Sequence, residues 1–128
     1  GNVITIYPEA HIWPFYTKIR PFTDQSFRYP CNMDKPTFCF VNTYQKRKRG
    51  KGINIVTYVS GPFFADKSLS PKEQKAKLRN EVFSEMEKLS AHSNAQVITY
   101  IKLQMFMLMV SMCWLQTHIE MDGYIVIR

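Results

Sequence analysis

The chain has 128 residues, a length that suits one domain with a modest hydrophobic core. Its apolar fraction of 45% is ordinary for a globular protein, and 17 Lys and Arg against 10 Asp and Glu give a net charge of +7. This excess favours an anionic partner, such as nucleic acid, an anionic lipid or a phosphorylated substrate, although a solvated basic face explains it as well. The three cysteines are widely spaced and no Cys/His metal spacing is present, so we expect reduced thiols in a cytoplasmic compartment and no bound metal.

The first predicted element is a buried strand, Val3 to Tyr7, because this run is β-branched and aromatic. Pro8 ends the strand, since proline has no amide proton for a ladder. Polar residues that follow the carboxyl end of a strand lie where open α/β sheets bind their ligands. The chain shows no signal peptide, begins with Gly rather than Met and opens almost directly into the strand, so we expect a piece of a longer protein; removal of a leader is the alternative.

A long loop follows, from residue 8 to residue 36. It contains five of the seven prolines, too many for a long helix, so at most a short helical turn is expected around Thr23 to Tyr29. Loops of this length are uncommon in compact domains and are often functional.

Two further strands are predicted, Thr37 to Tyr44 and Ile53 to Val59. A short connection that contains glycine joins them, which indicates an antiparallel hairpin. Gly61 and Pro62 should then end the second strand, because both residue types interrupt ladders.

The clearest helix begins after Ser70. Pro71 suits the first helical position, and Glu73 stands three residues after Ser70, as a capping box requires. Apolar residues then recur at near-helical spacing, and the lysines fall mostly off that stripe. The stripe consists of Leu78, Val82, Met86 and Leu89. We expect one long amphipathic helix that packs on the sheet and ends near residues 92–94.

The composition changes towards the end of the chain. Ala95 to Lys102 is compatible with a final strand, and Tyr124 to Ile127 is strand-like after a turn at residues 122–123. Residues 103–116 have no formal charge, but their apolar run is shorter than the ~20 residues that span a bilayer. A buried helix, an interfacial membrane segment and an exposed tail remain open for them.

Together these elements predict an α/β fold, with a partial mixed sheet that contains a hairpin and one long amphipathic helix packed on it. We assign residues 1–102 to the α/β domain and residues 103–128 to an apolar tail of undefined structure.

Glu9 and His11 are the first candidate site residues. A carboxylate just beyond a strand can accept hydrogen bonds from hydroxyl groups, pair with a nearby arginine, or simply cap loop amides. His11 can act as a general base because histidine titrates near neutrality. It has no Ser or Cys nucleophile beside it in the sequence, so a hydrogen-bonded loop histidine is the plainer interpretation.

Lys18 and Arg20 lie two residues apart, so both can face one phosphate group, for which arginine offers a bidentate fork. A solvated loop edge is the alternative interpretation. These two residues, together with Glu9, form the predicted substrate-binding set.

The densest run of charge lies in the hairpin connection and comprises Lys46, Arg47, Lys48, Arg49 and Lys51. At a hairpin tip such a run can bind phosphodiester groups or anionic lipid headgroups, or it is only solvated. The aromatic residues near it belong to strands and are expected in the core. The sequence therefore has no RNA-binding signature, and an anionic membrane is a better expectation than nucleic acid.

The segment from Val3 to about Ser60 resembles the 1-acylglycerol-3-phosphate acyltransferase (lysophospholipid acyltransferase) family. In that family a hydrophobic strand runs into a Pro-Glu-Gly motif, and a Leu-x-x-Phe-type segment and a Pro-rich apolar strand follow. Here Ile4 to Glu9, Ile19 to Phe22 and Lys35 to Phe40 stand at those three places.

The chain also departs from the family. Ala10 replaces the glycine of the motif, the segment His11 to Trp13 stands where Thr-Arg-Ser is common, and the Lys and Gly after the Phe are missing. The family's His-x-x-x-x-Asp motif, whose histidine is the general base, has no match among the three histidines. The resemblance therefore implies the carboxyl-terminal half of such an enzyme, without a catalytic residue of its own and inactive alone.

The resemblance implies acyl transfer from an acyl thioester, acyl-CoA or acyl-carrier protein, to a hydroxyl of glycerol phosphate or a lysophospholipid. Glu9 would then be the acceptor-binding carboxylate, and the location would be cytoplasmic and peripheral to the membrane. The alternative from the residues alone is a non-catalytic basic module that binds nucleic acid or anionic membrane through residues 46–51. A structural domain with a basic surface is the third interpretation.

Overall fold

A computed structural model gives the structure and describes residues 3–102, 120–121 and 124–127. The chain separates into two compact units, one formed by residues 1–13 and 17–95 and the other by residues 14–16 and 96–128. The described residues contain two α-helices and five strands, which confirms the predicted α/β content. The predicted domain boundary after residue 102 stays a prediction, because most of residues 103–128 lie outside the described ranges.

Residues 3–7 do not form a strand, so the first predicted element is wrong. Their side chains face solvent, and Val3 is 91% exposed. A β-branched run becomes a strand only where a neighbouring strand takes up its backbone hydrogen bonds, and none of the described strands pairs with residues 3–7. A tight turn at Pro8 and Glu9 ends this extended segment.

The long loop contains more helix than predicted. A single 3-10 turn, Gln25–Phe27, leads directly into α1, Arg28–Met33. Pro30 is tolerated because it lies in the first turn of α1, where backbone amides have no acceptor within the helix. Asp34 follows α1 with a left-handed backbone, φ 53°.

Strands β1, Thr37–Lys46, and β2, Ile53–Phe63, pair antiparallel, which confirms the predicted hairpin. Along β1 the buried residues alternate with exposed ones, and the buried ones are Cys39, Val41 and Thr43. This alternation of period two leaves one face of the hairpin for a core and directs the other face to solvent.

Gly61 and Pro62 do not end β2, which is a second difference from the prediction. Between the pairs Cys39–Ser60 and Thr37–Phe63 the register shifts, so β2 carries one extra residue there. Gly61 has φ 135°, and a Cβ on it would lie 2.8 Å from the Thr37 carbonyl oxygen. The bulge accommodates both residues inside the strand.

The helix α2, Pro71–Ser90, begins as predicted and ends about two residues earlier than expected. The Ser70 Oγ accepts from the Glu73 N–H, and a Glu73 carboxylate oxygen accepts from the Ser70 N–H at 3.1 Å. The helix contacts both strands of the hairpin. The core between them contains Phe22, Phe27, Cys39, Val41, Leu78, Val82 and Met86.

Asp66 organises the turn that precedes α2. Its carboxylate accepts from the Ser68 N–H at 3.1 Å and from the Ser68 Oγ at 2.6 Å, and it pairs with Lys77 Nζ at 2.7 Å. The hydrogen bonds from Lys77 and Ser68 hold the pKa of Asp66 well below its ordinary value. The ionised carboxylate thus ties the loop after β2 to the second turn of α2.

The second unit contains β3, Thr99–Lys102, β4, Glu120–Met121, and β5, Tyr124–Ile127, in the order β3-β5-β4. The predicted strand at residues 95–102 is confirmed for its second half, and the strand at residues 124–127 is confirmed. Every ladder that the structure describes is antiparallel, so these ladders do not form the predicted mixed sheet.

Residues 103–119 and the predicted turn at residues 122–123 lie outside the described ranges. The predictions for the apolar tail therefore stay predictions. Among the helices that the structure describes, neither has the length and apolar content that crossing a bilayer requires.

Candidate functional site

Glu9 and Arg20, which the sequence predicts as site residues, meet in the long loop. Glu9 Oε2 accepts from the Arg20 backbone N–H at 2.9 Å and lies 3.6 Å from Arg20 Nε. Both side chains are partly buried, so solvent and salt screen this ion pair less than a surface pair. Of the three roles that the sequence left open for Glu9, the structure shows two, the capping of a loop amide and the pairing with a nearby arginine.

The Arg20 guanidinium also fixes the backbone around Glu9. Its Nη2 donates to the carbonyl oxygens of Glu9 and His11 at 2.8 Å and 2.7 Å. Its Cζ lies 4.4 Å from the centroid of the Trp13 ring, a cation–π contact. Because these contacts hold residues 9–13 in one conformation, Arg20 is a positioning residue for the carboxylate of Glu9.

The turn before His11 has an unusual backbone. The Ala10 N–H donates to the Tyr7 carbonyl at 3.1 Å, which closes a turn with Pro8 at its second position. Ala10 has φ 62°, in the left-handed region that glycine adopts readily and other residues avoid. The contacts of Arg20 on either side of Ala10 hold the loop in this conformation.

The other predicted residues of the loop are exposed. Lys18 points into solvent two residues before Arg20, and the His11 side chain is also exposed. Of the four predicted loop residues, the structure therefore joins Glu9, Arg20 and the backbone of His11, and it leaves the ammonium group of Lys18 accessible to a ligand.

Arg79 anchors the same loop at its far end, and the sequence interpretation missed it. Its Nε and Nη2 donate to the Phe22 carbonyl at 2.9 Å and 2.8 Å, and its Cζ lies over the rings of Phe22 and Phe83. The spacing of Arg79 four residues before Phe83 indicates that these two share a helix face, but it does not indicate the bond to Phe22. Arg79 thus fixes the segment after Arg20 to α2.

The described residues offer little other catalytic chemistry. No group of three or more His, Cys, Asp and Glu side chains in the described ranges is placed to hold a metal ion. Burial raises the pKa of the Cys31 and Cys39 thiols, so both stay protonated and are poor nucleophiles near neutral pH. The loop around Glu9 is therefore the candidate site for a small ligand.

The hairpin connection, residues 46–51, forms a basic tip. All five of its cationic residues are exposed, Arg47 Nε donates to Asn54 Oδ1 at 3.1 Å, and the Arg47 N–H donates to the Gly52 carbonyl. Within the part of the chain that the structure describes, none of the five pairs with a carboxylate. Four cations elsewhere do so, and they are Arg20, Lys67, Lys77 and Lys88. The basic tip therefore concentrates positive charge that no carboxylate of the described residues pairs with.

The outward face of the hairpin is the face that points away from α2. It carries Phe38, Phe40, Asn42 and Tyr44 from β1 and Ile55, Thr57 and Val59 from β2. Phe38 and Phe40 are 50% and 65% exposed, so the expectation that the strand aromatics lie in the core is wrong for these two residues. The hairpin thus presents an apolar surface beside the basic tip.

No family model, curated protein or solved structure matches the chain.

Proposed function

We propose that the chain is the carboxyl-terminal half of an acyltransferase that works at a membrane surface. The enzyme moves an acyl group from an acyl thioester to a hydroxyl of glycerol phosphate or a lysophospholipid. The backbone of Ala10 carries the proposal, because Ala10 stands where the resembled family has glycine, and its φ of 62° is a conformation that glycine favours. The turn after Glu9 thus keeps a glycine-type backbone although the residue is alanine.

Two features of the loop support acceptor binding by Glu9 and Lys18. Oε2 of Glu9 accepts from the Arg20 N–H and pairs with its Nε, and among the described residues no hydrogen bond to Oε1 is seen, so we infer that Oε1 accepts from an acceptor hydroxyl. Lys18 is exposed on the same loop and supplies positive charge for the phosphate group. In the reaction the acceptor oxygen forms an ester bond to the acyl carbon, the carbon–sulfur bond breaks, and the hydroxyl proton passes to the thiolate through the histidine of the other half.

Glu9→Ala should lower kcat/KM of the chain joined to a His-x-x-x-x-Asp half by about 10- to 100-fold, the usual cost of losing a hydrogen bond to a charged group. Glu9→Gln keeps an oxygen for the Arg20 N–H and should fall between the parent and the alanine variant. The measurement is acyl transfer to a lysophospholipid as a function of acceptor concentration. Glu87→Ala, which removes an exposed carboxylate of α2, is the control, and unchanged turnover in Glu9→Ala would exclude Glu9 from the site.

The second candidate is a non-catalytic module that binds phosphate-rich ligands through the basic tip. The positive charge of residues 46–51, which no carboxylate of the described ranges pairs with, favours it. This candidate needs no second half, so the chain alone should bind, and its affinity should fall steeply as the salt concentration rises.

A further inference from the structure

We propose that the hairpin docks on an anionic lipid bilayer, with its outward face in the interfacial region and its basic tip on the headgroups. The inference rests on the proposed function in one respect, because a lipid acceptor has to be reached at a bilayer surface. Its physical basis is the surface of the hairpin itself.

The outward face presents large apolar side chains to solvent. Phe40 is 65% exposed, Ile55 62%, Val59 54% and Phe38 50%. Phe40 and Val59 are direct cross-strand partners, so their side chains form one continuous surface. Contiguous exposed apolar surface of this kind marks an interaction site, whereas isolated exposed residues need no explanation.

Several polar groups of the hairpin already have hydrogen-bond partners within the protein. Thr57 Oγ1 donates to Asn42 Oδ1 at 2.6 Å, which pairs the two polar side chains in the middle of the face. The outer edge of β1 is covered near the tip, where the Tyr44 carbonyl accepts from the N–H groups of Asn94 and Ala95 at 3.0 Å each. Satisfied polar groups lower the cost of moving a surface out of water.

The charge of the hairpin identifies the kind of surface that it fits. Residues 37–63 contain no Asp or Glu, and their five Lys and Arg all lie in the basic tip. Cations next to exposed apolar side chains are the combination that binds anionic bilayers, through electrostatic attraction and apolar burial together. Phe40 lies six residues from Lys46, about 20 Å along the strand, so one flat orientation of the hairpin brings both groups to a bilayer.

A lipid surface fits this face better than single-stranded nucleic acid. Bases bind exposed protein surfaces mainly by stacking on aromatic rings. Two of the four exposed apolar residues, Ile55 and Val59, are aliphatic and offer no ring to a base. A bilayer interface accepts aliphatic and aromatic side chains alike, so all four residues contribute.

The test measures sedimentation of the full chain with vesicles of phosphatidylcholine, with and without phosphatidylserine. The double variant Phe40→Ser, Ile55→Ser should bind the anionic vesicles at least about tenfold more weakly than the parent, because it removes apolar surface from the interface. The matched control, Phe64→Ser with Ile4→Ser, removes the same residue types from exposed positions outside the outward face and should bind as the parent does. Phe40→Leu keeps the apolar surface and should also bind as the parent does.

Equal binding of the parent and of the double variant, with unchanged thermal unfolding, would overturn the proposal. A second outcome would also overturn it. If the chain does not bind the vesicles but binds a single-stranded oligonucleotide, and Phe40→Leu weakens that binding, the outward face binds bases and not lipid. The two proposals fail separately. If the joined protein docks on the vesicles but transfers no acyl group, only the proposed function is contradicted. If it transfers the acyl group and the double variant docks as well as the parent, only this inference is contradicted.

Discussion

Replacing Lys48, Arg49 and Lys51 with glutamine should weaken binding of the chain to anionic vesicles by about 100-fold. Each Lys or Arg near an anionic membrane contributes about 1 kcal/mol, so three of them account for roughly two orders of magnitude. The three side chains are exposed, and no carboxylate of the described residues pairs with them. Arg47 is kept because it bonds Asn54, and Lys46 is kept because it belongs to β1.

The control for this charge substitution removes one Arg and two Lys from exposed positions outside the hairpin, and these are Arg28, Lys35 and Lys72. Both triple variants have the same net charge. Because salt screens exposed charges over about 10 Å, the control should lose much less affinity than the tip variant. Equal losses in the two variants would mean that the net charge binds the vesicles and that the basic tip has no special role. Equilibrium binding at a fixed salt concentration provides the comparison.

Gly61→Ala should lower the free energy of unfolding by about 3 kcal/mol, the largest stability effect that we expect from an exposed position. A methyl group there meets the Thr37 carbonyl oxygen at 2.8 Å and the Phe38 ring at 2.9 Å, and φ is 135°. The steric clash and the backbone strain both destabilise the bulge, where the start of β1 pairs with the end of β2. Urea unfolding of the parent and the variant measures the difference.

Gly50→Ala is the matched control for this substitution. Gly50 also has a positive φ, 79°, but a Cβ there meets no heavy atom within 4 Å. It should cost only about 1 kcal/mol, the strain of a left-handed residue without a clash. If both variants lose the same stability, the close approach of β1 to Gly61 does not constrain the hairpin.

The elements that local chemistry determines follow from the sequence. The capping box at Ser70 and Glu73 needs only residues within one turn, and the hairpin needs two β-rich runs with a short glycine-containing connection. The Glu9–Arg20 pair was also predictable in part, because both residues lie in one loop and carry opposite charges. The sequence did not predict that the Arg20 guanidinium would donate hydrogen bonds to two backbone carbonyl oxygens.

The features that depend on distant partners could not be predicted. Residues 3–7 have a β-type sequence, but a strand requires a neighbour, and the sequence of the run does not say whether one is present. Phe38 and Phe40 were expected in the core because they are apolar. The alternation along β1 instead buries the side chains of Cys39 and Val41 and leaves those of Phe38 and Phe40 exposed. Arg79 binds the Phe22 carbonyl fifty-seven residues away, and no local pattern encodes that contact.

Acyl transfer measured with the chain alone, and with the chain joined to a segment that carries His-x-x-x-x-Asp, tests the proposed enzyme activity. Acyl-CoA is the donor, and lysophospholipid in anionic vesicles is the acceptor. We expect no acyl transfer by the chain alone. The joined protein should form the diacyl product, and Glu9→Ala should suppress this reaction. A joined protein that folds, binds the vesicles and still forms no diacyl product would exclude acyl transfer as the function of this chain.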